Sequence, residues 1–122
     1  TADLAAPGIA EDLAKDRPDV IFHLAAIPSG GSETDFEAGY RANLDGTRTL
    51  LDAIRRTGDG YRPKVIYASS IAVYGAPFPP SIPDDFILTP LTSYGAHKVI
   101  CETLLAEEEA EKRFTIRTED YN

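Results

Sequence analysis

Tyr94 and Lys98 stand four residues apart in the stretch Ser93-Tyr94-Gly95-Ala96-His97-Lys98, at the start of a helix-like segment. At that spacing both side chains lie on one helical face, with Cβ atoms about 6 Å apart. A free phenol has a pKa of about 10 and is a poor base at neutral pH. A neighbouring ammonium favours the phenolate, so Tyr-x-x-x-Lys suits proton transfer. The spacing alone says little, because chance supplies it in about one chain in five of this size. A second polar feature is Ser69-Ser70, which closes an apolar run. A hydroxyl there either caps a turn or donates to a substrate oxygen and holds it toward Tyr94.

These groups need elements to position them. Pro7 to Asp16 reads as a short helix, with Ile9 and Leu13 on one face. Val20 to Ala26 is a nearly continuous apolar run, as expected for a parallel strand buried on both faces. Pro28 to Ser32 reads as a loop with two glycines. Thr34 and Glu37 form a capping-box pattern. A helix of about twenty residues should follow, with Tyr40, Leu44, Thr47, Leu51 and Ile54 on its apolar face. Gly58 and Gly60 should end it. Val65 to Ser70 reads as a second buried strand. Ile71 to Leu91 is a long, proline-rich irregular segment, and loops of that length in compact domains are usually functional or disordered. Thr92 or Ser93 should cap a helix running to about Arg113, and Phe114 to Arg117 should form a third strand. The alternation predicts an α/β fold with a parallel sheet flanked by helices. In such sheets ligands bind outside the carboxyl ends of the strands, here Ala25 to Gly31 and Ser69 to Gly75.

Composition narrows the function classes. The 122 residues suffice for one domain with a core, and 43% hydrophobic with 26% charged residues suits a soluble globular chain. The net charge of -8 repels phosphate backbones and argues against nucleic-acid binding. No apolar run reaches the roughly 20 residues of a membrane span. The single cysteine, Cys101, excludes an intramolecular disulfide and suits a cytoplasmic setting. His23 and His97 lie far apart without a thiolate set, so no metal site is expected. His23, inside a strand, reads as a core histidine with a partner, His97 as an exposed spacer residue, and Cys101 as packing. Asp84 and Asp85 read as solvated, without the buried pairing that carboxylate catalysis needs.

Four ordered motifs carry a resemblance. They are His23-Leu24-Ala25-Ala26, Asn43-Leu44-Asp45-Gly46-Thr47, Ala68-Ser69-Ser70-Ile71-Ala72-Val73-Tyr74-Gly75 and Ser93-Tyr94-Gly95-Ala96-His97-Lys98. Together they resemble the extended short-chain dehydrogenase/reductases, the NAD-dependent epimerase/dehydratase group, over roughly residues 3 to 105. The stretch Ile27-Pro28-Ser29-Gly30-Gly31-Ser32-Glu33 is most similar to members that oxidise a four-carbon sugar acid.

The resemblance implies a partial Rossmann-like sheet, NAD as cofactor and a small sugar acid as substrate. It implies Tyr94 as general acid/base, Lys98 as the cation beside it and a ligand of the nicotinamide ribose, and Ser70 as the hydroxyl orienting the reacting oxygen. Leu24, Ala25, Ala26, Ile27 and Pro28 would line the cofactor's path, with Ala68 and Ser69 at the neighbouring strand end. Asn43 would sit near the cofactor, although a mid-helix Asn can equally bond a neighbouring loop. Asp3 and Leu4 match the pair that meets the adenine ring. Ser29, Gly30 and Gly31 would face the substrate together with Ser70 and Tyr94, since backbone N–H groups near a helix start suit a carboxylate; Gly30 and Gly31 could instead be a plain flexible loop.

The family's glycine-rich Gly-x-x-Gly-x-x-Gly turn does not occur in these residues. The expected organisation is therefore one partial NAD-binding domain over 1–122, without the substrate domain. The resemblance also implies a homodimer through helices near 34–57 and 93–113. Two other readings stay open: a sugar-nucleotide epimerase/dehydratase or L-threonine dehydrogenase of the same family, and a non-catalytic module that dimerises through those helices.

Overall fold

The computed structural model of the chain describes residues 2–27, 29–110 and 115–119, with only the backbone of Ser29, Glu109, Ala110 and Thr115–Glu119. Its elements in order are α1 (Ile9–Lys15), β1 (Val20–His23), α2 (Ser29–Thr34), α3 (Phe36–Tyr40), a π-turn (Arg41–Asp45), α4 (Gly46–Thr57), β2 (Lys64–Ala68), a short 3-10 turn (Ile71–Val73), α5 (Ser93–Ala110) and β3 (Thr115–Glu119). The strands form one parallel sheet in the order β1-β2-β3. Val20 to His23 pair with Lys64 to Tyr67, and Lys64 to Ala68 pair with Thr115 to Glu119. The sheet, its parallel sense and its helices are those of the expected α/β fold. The third strand starts at Thr115; Phe114 lies outside the described residues.

The core explains why the helices pack where they do. Leu50, Leu51 and Ile54 of α4 meet Val65 and Tyr67 of β2 and Cys101 and Leu105 of α5. A smaller cluster of Ala10, Ala14 and Ala53 joins α1 to α4 through short side chains that let the helices approach closely. Both sets lie on one side of the sheet. Strand β1 therefore departs from the expectation of burial on both faces. His23 is buried on the helix side, whereas Phe22 is 65% exposed on the other. The strand also ends at His23, and Leu24, Ala25 and Ala26 follow as exposed chain without regular secondary structure.

Two helix starts differ from the sequence pattern. Pro28 to Ser32 was expected as a loop; residues 29–34 form α2 instead, and Pro28 lies outside the described residues. Thr34 is the last residue of α2 and its hydroxyl donates back to Gly30 and Gly31 carbonyls. The cap of the next helix is Asp35, whose carboxylate accepts from the Ala38 N–H at 3.0 Å. The expected twenty-residue helix is α3, the π-turn and α4 in continuous succession, and it ends at Gly58, whose φ of 61° favours glycine. Thr47, Leu51 and Ile54 are buried as the periodicity predicts, while Tyr40 stays half exposed at 49%.

Candidate active site

Helix α5, which carries Tyr94 and Lys98, begins against the turn that leaves β2. Thr92 caps it, accepting from the Gly95 N–H at 3.0 Å. Gly95 presses on the 3-10 turn so closely that a Cβ there would sit 2.2 Å from the Ala72 carbonyl oxygen. Glycine is thus required by close approach, and that approach brings Tyr94 to the segment carrying Ser70. Ser70 caps the same turn: its Oγ accepts from the Ala72 N–H at 3.1 Å. The turn-capping role is therefore present, and it leaves the hydroxyl proton available to donate elsewhere.

Lys98 lies one helical turn below Tyr94 and is buried, 3% exposed. Its ammonium donates to the Ala68 carbonyl at 2.7 Å, where β2 ends. The nitrogen stands 4.7 Å from the Tyr67 ring centre and 5.5 Å from that of Tyr94. Burial pulls the Lys98 pKa down, partly offset by the Cys101 and Glu102 side chains. Burial likewise raises the Tyr67 phenol, so Tyr67 offers Lys98 a neutral ring face, not a counter-charge. Ser69, 4% exposed, has a buried hydroxyl with no hydrogen-bond partner among the described residues.

A second cluster fixes the end of β1. Asn43 in the π-turn is buried, and its amide clamps Ile27 on both backbone groups. Its Oδ1 accepts from the Ile27 N–H at 2.6 Å, and its Nδ2 donates to the Ile27 carbonyl at 2.9 Å and to Ser32 Oγ at 3.0 Å. Both amide hydrogens are thus committed within the protein, which is the loop-bonding role weighed for this residue. The Asn43 carbonyl accepts from Cys101 Sγ at 3.1 Å and from the Thr47 hydroxyl at 3.4 Å. Burial raises the Cys101 pKa, keeping the thiol a donor. His23 Nε2 meets the Thr47 hydroxyl at 2.7 Å, and burial first, then the charge of Lys98, lowers its pKa to about 4. His23 is the partnered core histidine expected.

The predicted site residues therefore fall into three groups. Ala68, Ser69, Ser70, Tyr94 and Lys98 converge where β2 ends and α5 begins. Ile27 and Asn43 are bonded to one another, and Gly31 packs so closely on Ile27 that a Cβ there would lie 2.6 Å from its Cγ2. Leu4, Leu24 and Ala25 border an apolar groove of about 350 Å³ along β1, while Ala26 is exposed. Asp3 nearby is tied to Arg41 Nε at 2.6 Å and to the Ala5 N–H, and that pairing with Arg41 lowers its pKa.

His97 corrects its expectation of exposure. It is 2% exposed and its ring meets that of Tyr40 edge-on at 4.4 Å. Burial lowers its pKa. Periodicity carried the signal, since positions 94, 97, 98, 101 and 105 share one stripe of α5. Glu33 accepts from the Ser93 N–H at 2.7 Å, a contact across 60 positions that no local sequence pattern signals. Asp84 and Asp85 are exposed as expected. No described helix is long and apolar enough to cross a membrane.

The sequence profile of the NAD dependent epimerase/dehydratase family matches residues 1–118. D-erythronate dehydrogenase of Cupriavidus necator is 43% identical over 88% of this chain and 32% of its own length. The crystal structure of a nucleoside-diphosphate-sugar epimerase from Agrobacterium tumefaciens superposes with a TM-score of 0.93 at 60% identity, covering 96% of this chain and 35% of that one. UDP-glucose 4-epimerase from Brucella ovis, solved in complex with NAD, gives a TM-score of 0.86 at 30% identity over 98% of this chain and 37% of its own. The chain thus spans about a third of the length of the relatives it matches.

Proposed function

The chain belongs to the NAD dependent epimerase/dehydratase family, and from that premise we propose that its full-length protein is an NAD-dependent dehydrogenase of a small sugar acid, acting as D-erythronate dehydrogenase does. The observation that carries the substrate is the likeness to the Cupriavidus necator enzyme across most of the chain.

NAD fits the residues present. The Ser69 hydroxyl, without a partner among the described residues, stands at a strand end, where α/β sheets take their ligands. Lys98 spends one hydrogen bond on Ala68 and keeps further protons to donate. Lys98, Ser69, Ala68 and the clamped Ile27 would hold the nicotinamide end, with Leu24, Ala25 and Ala26 along the path and Asp3 and Leu4 toward the adenine. When bound, NAD supplies the hydride acceptor. The chain supplies the proton chemistry. Ser70 donates to the substrate oxygen while its Oγ stays fixed by Ala72. Tyr94 Oη takes the hydroxyl proton as the alcohol becomes a carbonyl. Lys98 places positive charge beside the phenol that carries this proton. Ser29, Gly30 and Gly31 face the substrate. Pairing of two copies through the helices that start near 34 and 93 belongs to the same proposal, and the exposed Phe36, Tyr40 and Ile100 suit it.

The test is NADH production from D-erythronate by the full-length protein. Activity on D-erythronate or another four-carbon sugar acid supports the assignment; turnover of none of them ends it. A second reading, a sugar-nucleotide epimerase, is favoured by the Agrobacterium tumefaciens likeness. An epimerase regenerates its NAD within each cycle, so cofactor that co-purifies stoichiometrically, with UDP-sugar interconversion, would decide for it.

A further inference from the structure

Helix α2 has little reason of its own to be helical. It is six residues long and contains two glycines, and helices that short are marginal in water. Its place is imposed from outside. On one side Ser32 is fully buried, its Oγ donating to the Ile27 carbonyl at 2.9 Å and accepting from Asn43. Gly39 of α3 closes over Ser32, where a Cβ would lie 3.0 Å from the serine side chain. On the other side Glu33 reaches across 60 positions of sequence, and its Oε1 accepts from the Ser93 N–H at 2.7 Å.

Ser93 is the first residue of α5, where amide groups lack partners within the helix, and an acidic group there also complements the helix dipole. Thr92 serves the Gly95 amide and Glu33 the Ser93 amide. The residue bonded by Glu33 therefore adjoins Tyr94, while α2 begins with Ser29, Gly30 and Gly31. We propose that Glu33 is a positioning residue that sets the distance between the substrate-facing segment Ser29–Gly31 and Tyr94, through its hydrogen bond to the Ser93 amide. The assignment of that segment to the substrate rests on the proposed function.

The full-length protein tests this. With D-erythronate, Glu33→Ala should raise KM for the sugar acid about tenfold, as misplacement of a positioning element does, and leave KM for NAD unchanged. Glu33→Gln keeps an oxygen acceptor and should restore the parent KM. Ser93→Pro, at a helix position that suits proline, deletes the amide donor together with the hydroxyl that meets His97 Nε2 at 3.4 Å and should reproduce Glu33→Ala, whereas Ser93→Ala, which loses the hydroxyl and keeps the amide, should not. The double variant Glu33→Ala with Ser93→Pro should be no worse than either alone. Additive losses, or an unchanged sugar-acid KM in Glu33→Ala, overturn the proposal. Backbone amide exchange over residues 29–34 gives a readout that needs no substrate. It should accelerate in Glu33→Ala and Ser93→Pro and recover in Glu33→Gln; unchanged exchange in Glu33→Ala overturns the proposal as well. A parent protein that turns over no sugar acid would refute the proposed function, while the exchange result would still decide the role of Glu33.

Discussion

The end of β2 and the edge of β1 belong to one sheet and are finished to different degrees. Around β2, Lys98 is buried against the Ala68 carbonyl, Gly95 touches the turn capped by Ser70, and the core of α4 and α5 closes over Val65 and Tyr67. Along β1, Phe22 and Leu24 are exposed at 65% and 60% beside an apolar groove. The first region holds the side chains to which the proposed function assigns proton transfer. The second offers apolar surface of the kind that marks a contact with something else. The lesson is that the β2 end is held by its own contacts, whereas the β1 edge leaves apolar surface open.

The strongest break in that comparison comes at the reacting group. Tyr94→Phe in the full-length protein should lower kcat by about 100- to 10,000-fold, the range for loss of a general acid/base, with NAD affinity near the parent value by calorimetry. A variant that keeps its rate would remove the β2 end as the centre of chemistry.

His23 probes the boundary between the regions, since it ends β1 yet bonds to Thr47 of α4. Its folded pKa of about 4 lies below the ordinary 6.5 or so. The unfolded chain therefore binds this proton first. Stability should fall as pH drops from about 6.5 to about 4 and level off below, a change on the order of 3 kcal/mol. Urea midpoints across that window would show it, and His23→Gln should flatten the slope.

Gly95→Ala tests how tightly the β2 end is closed. The new Cβ would meet the Ala72 carbonyl oxygen, so thermal denaturation should report a loss of about 1–3 kcal/mol, typical of overpacking. The smallest effect belongs to the open side. Phe22→Ser in the 122-residue chain should shift stability by no more than about 0.5 kcal/mol by denaturant titration, as for other exposed positions. A large loss there would mean that the β1 edge is covered after all.

Much of this was legible before the fold was in view. The alternation of apolar runs places the strands; Ser70 follows the end of β2, and Lys98 bonds the Ala68 carbonyl there with Tyr94 one helical turn away. What stayed hidden depends on partners distant in sequence. Gly30 and Gly31 read as loop because nothing local says that Ser32 and Glu33 will hold them in a helix. Thr34 and Asp35 are both good caps, and only the geometry of Ala38 selects Asp35. The exposed face of β1 was misread because an apolar strand shows which residues seek cover, not whether cover is present. His97 is the exception, since its place on the buried stripe of α5 follows from helical spacing alone.

The π-turn at Arg41–Asp45, closed by the Gly46 N–H on the Arg41 carbonyl, also sets a rule for insertions and deletions. One residue more or fewer in a helix rotates everything beyond it by about 100°. Removing a residue here would leave an unbroken, locally more regular helix, yet it would swing Asn43 away from Ile27 or Thr47 away from His23. The segment therefore tolerates no change in length. When sequences of related chains are aligned, a gap placed between Tyr40 and Thr47 signals either a misalignment or a protein that holds its β1 end by other means.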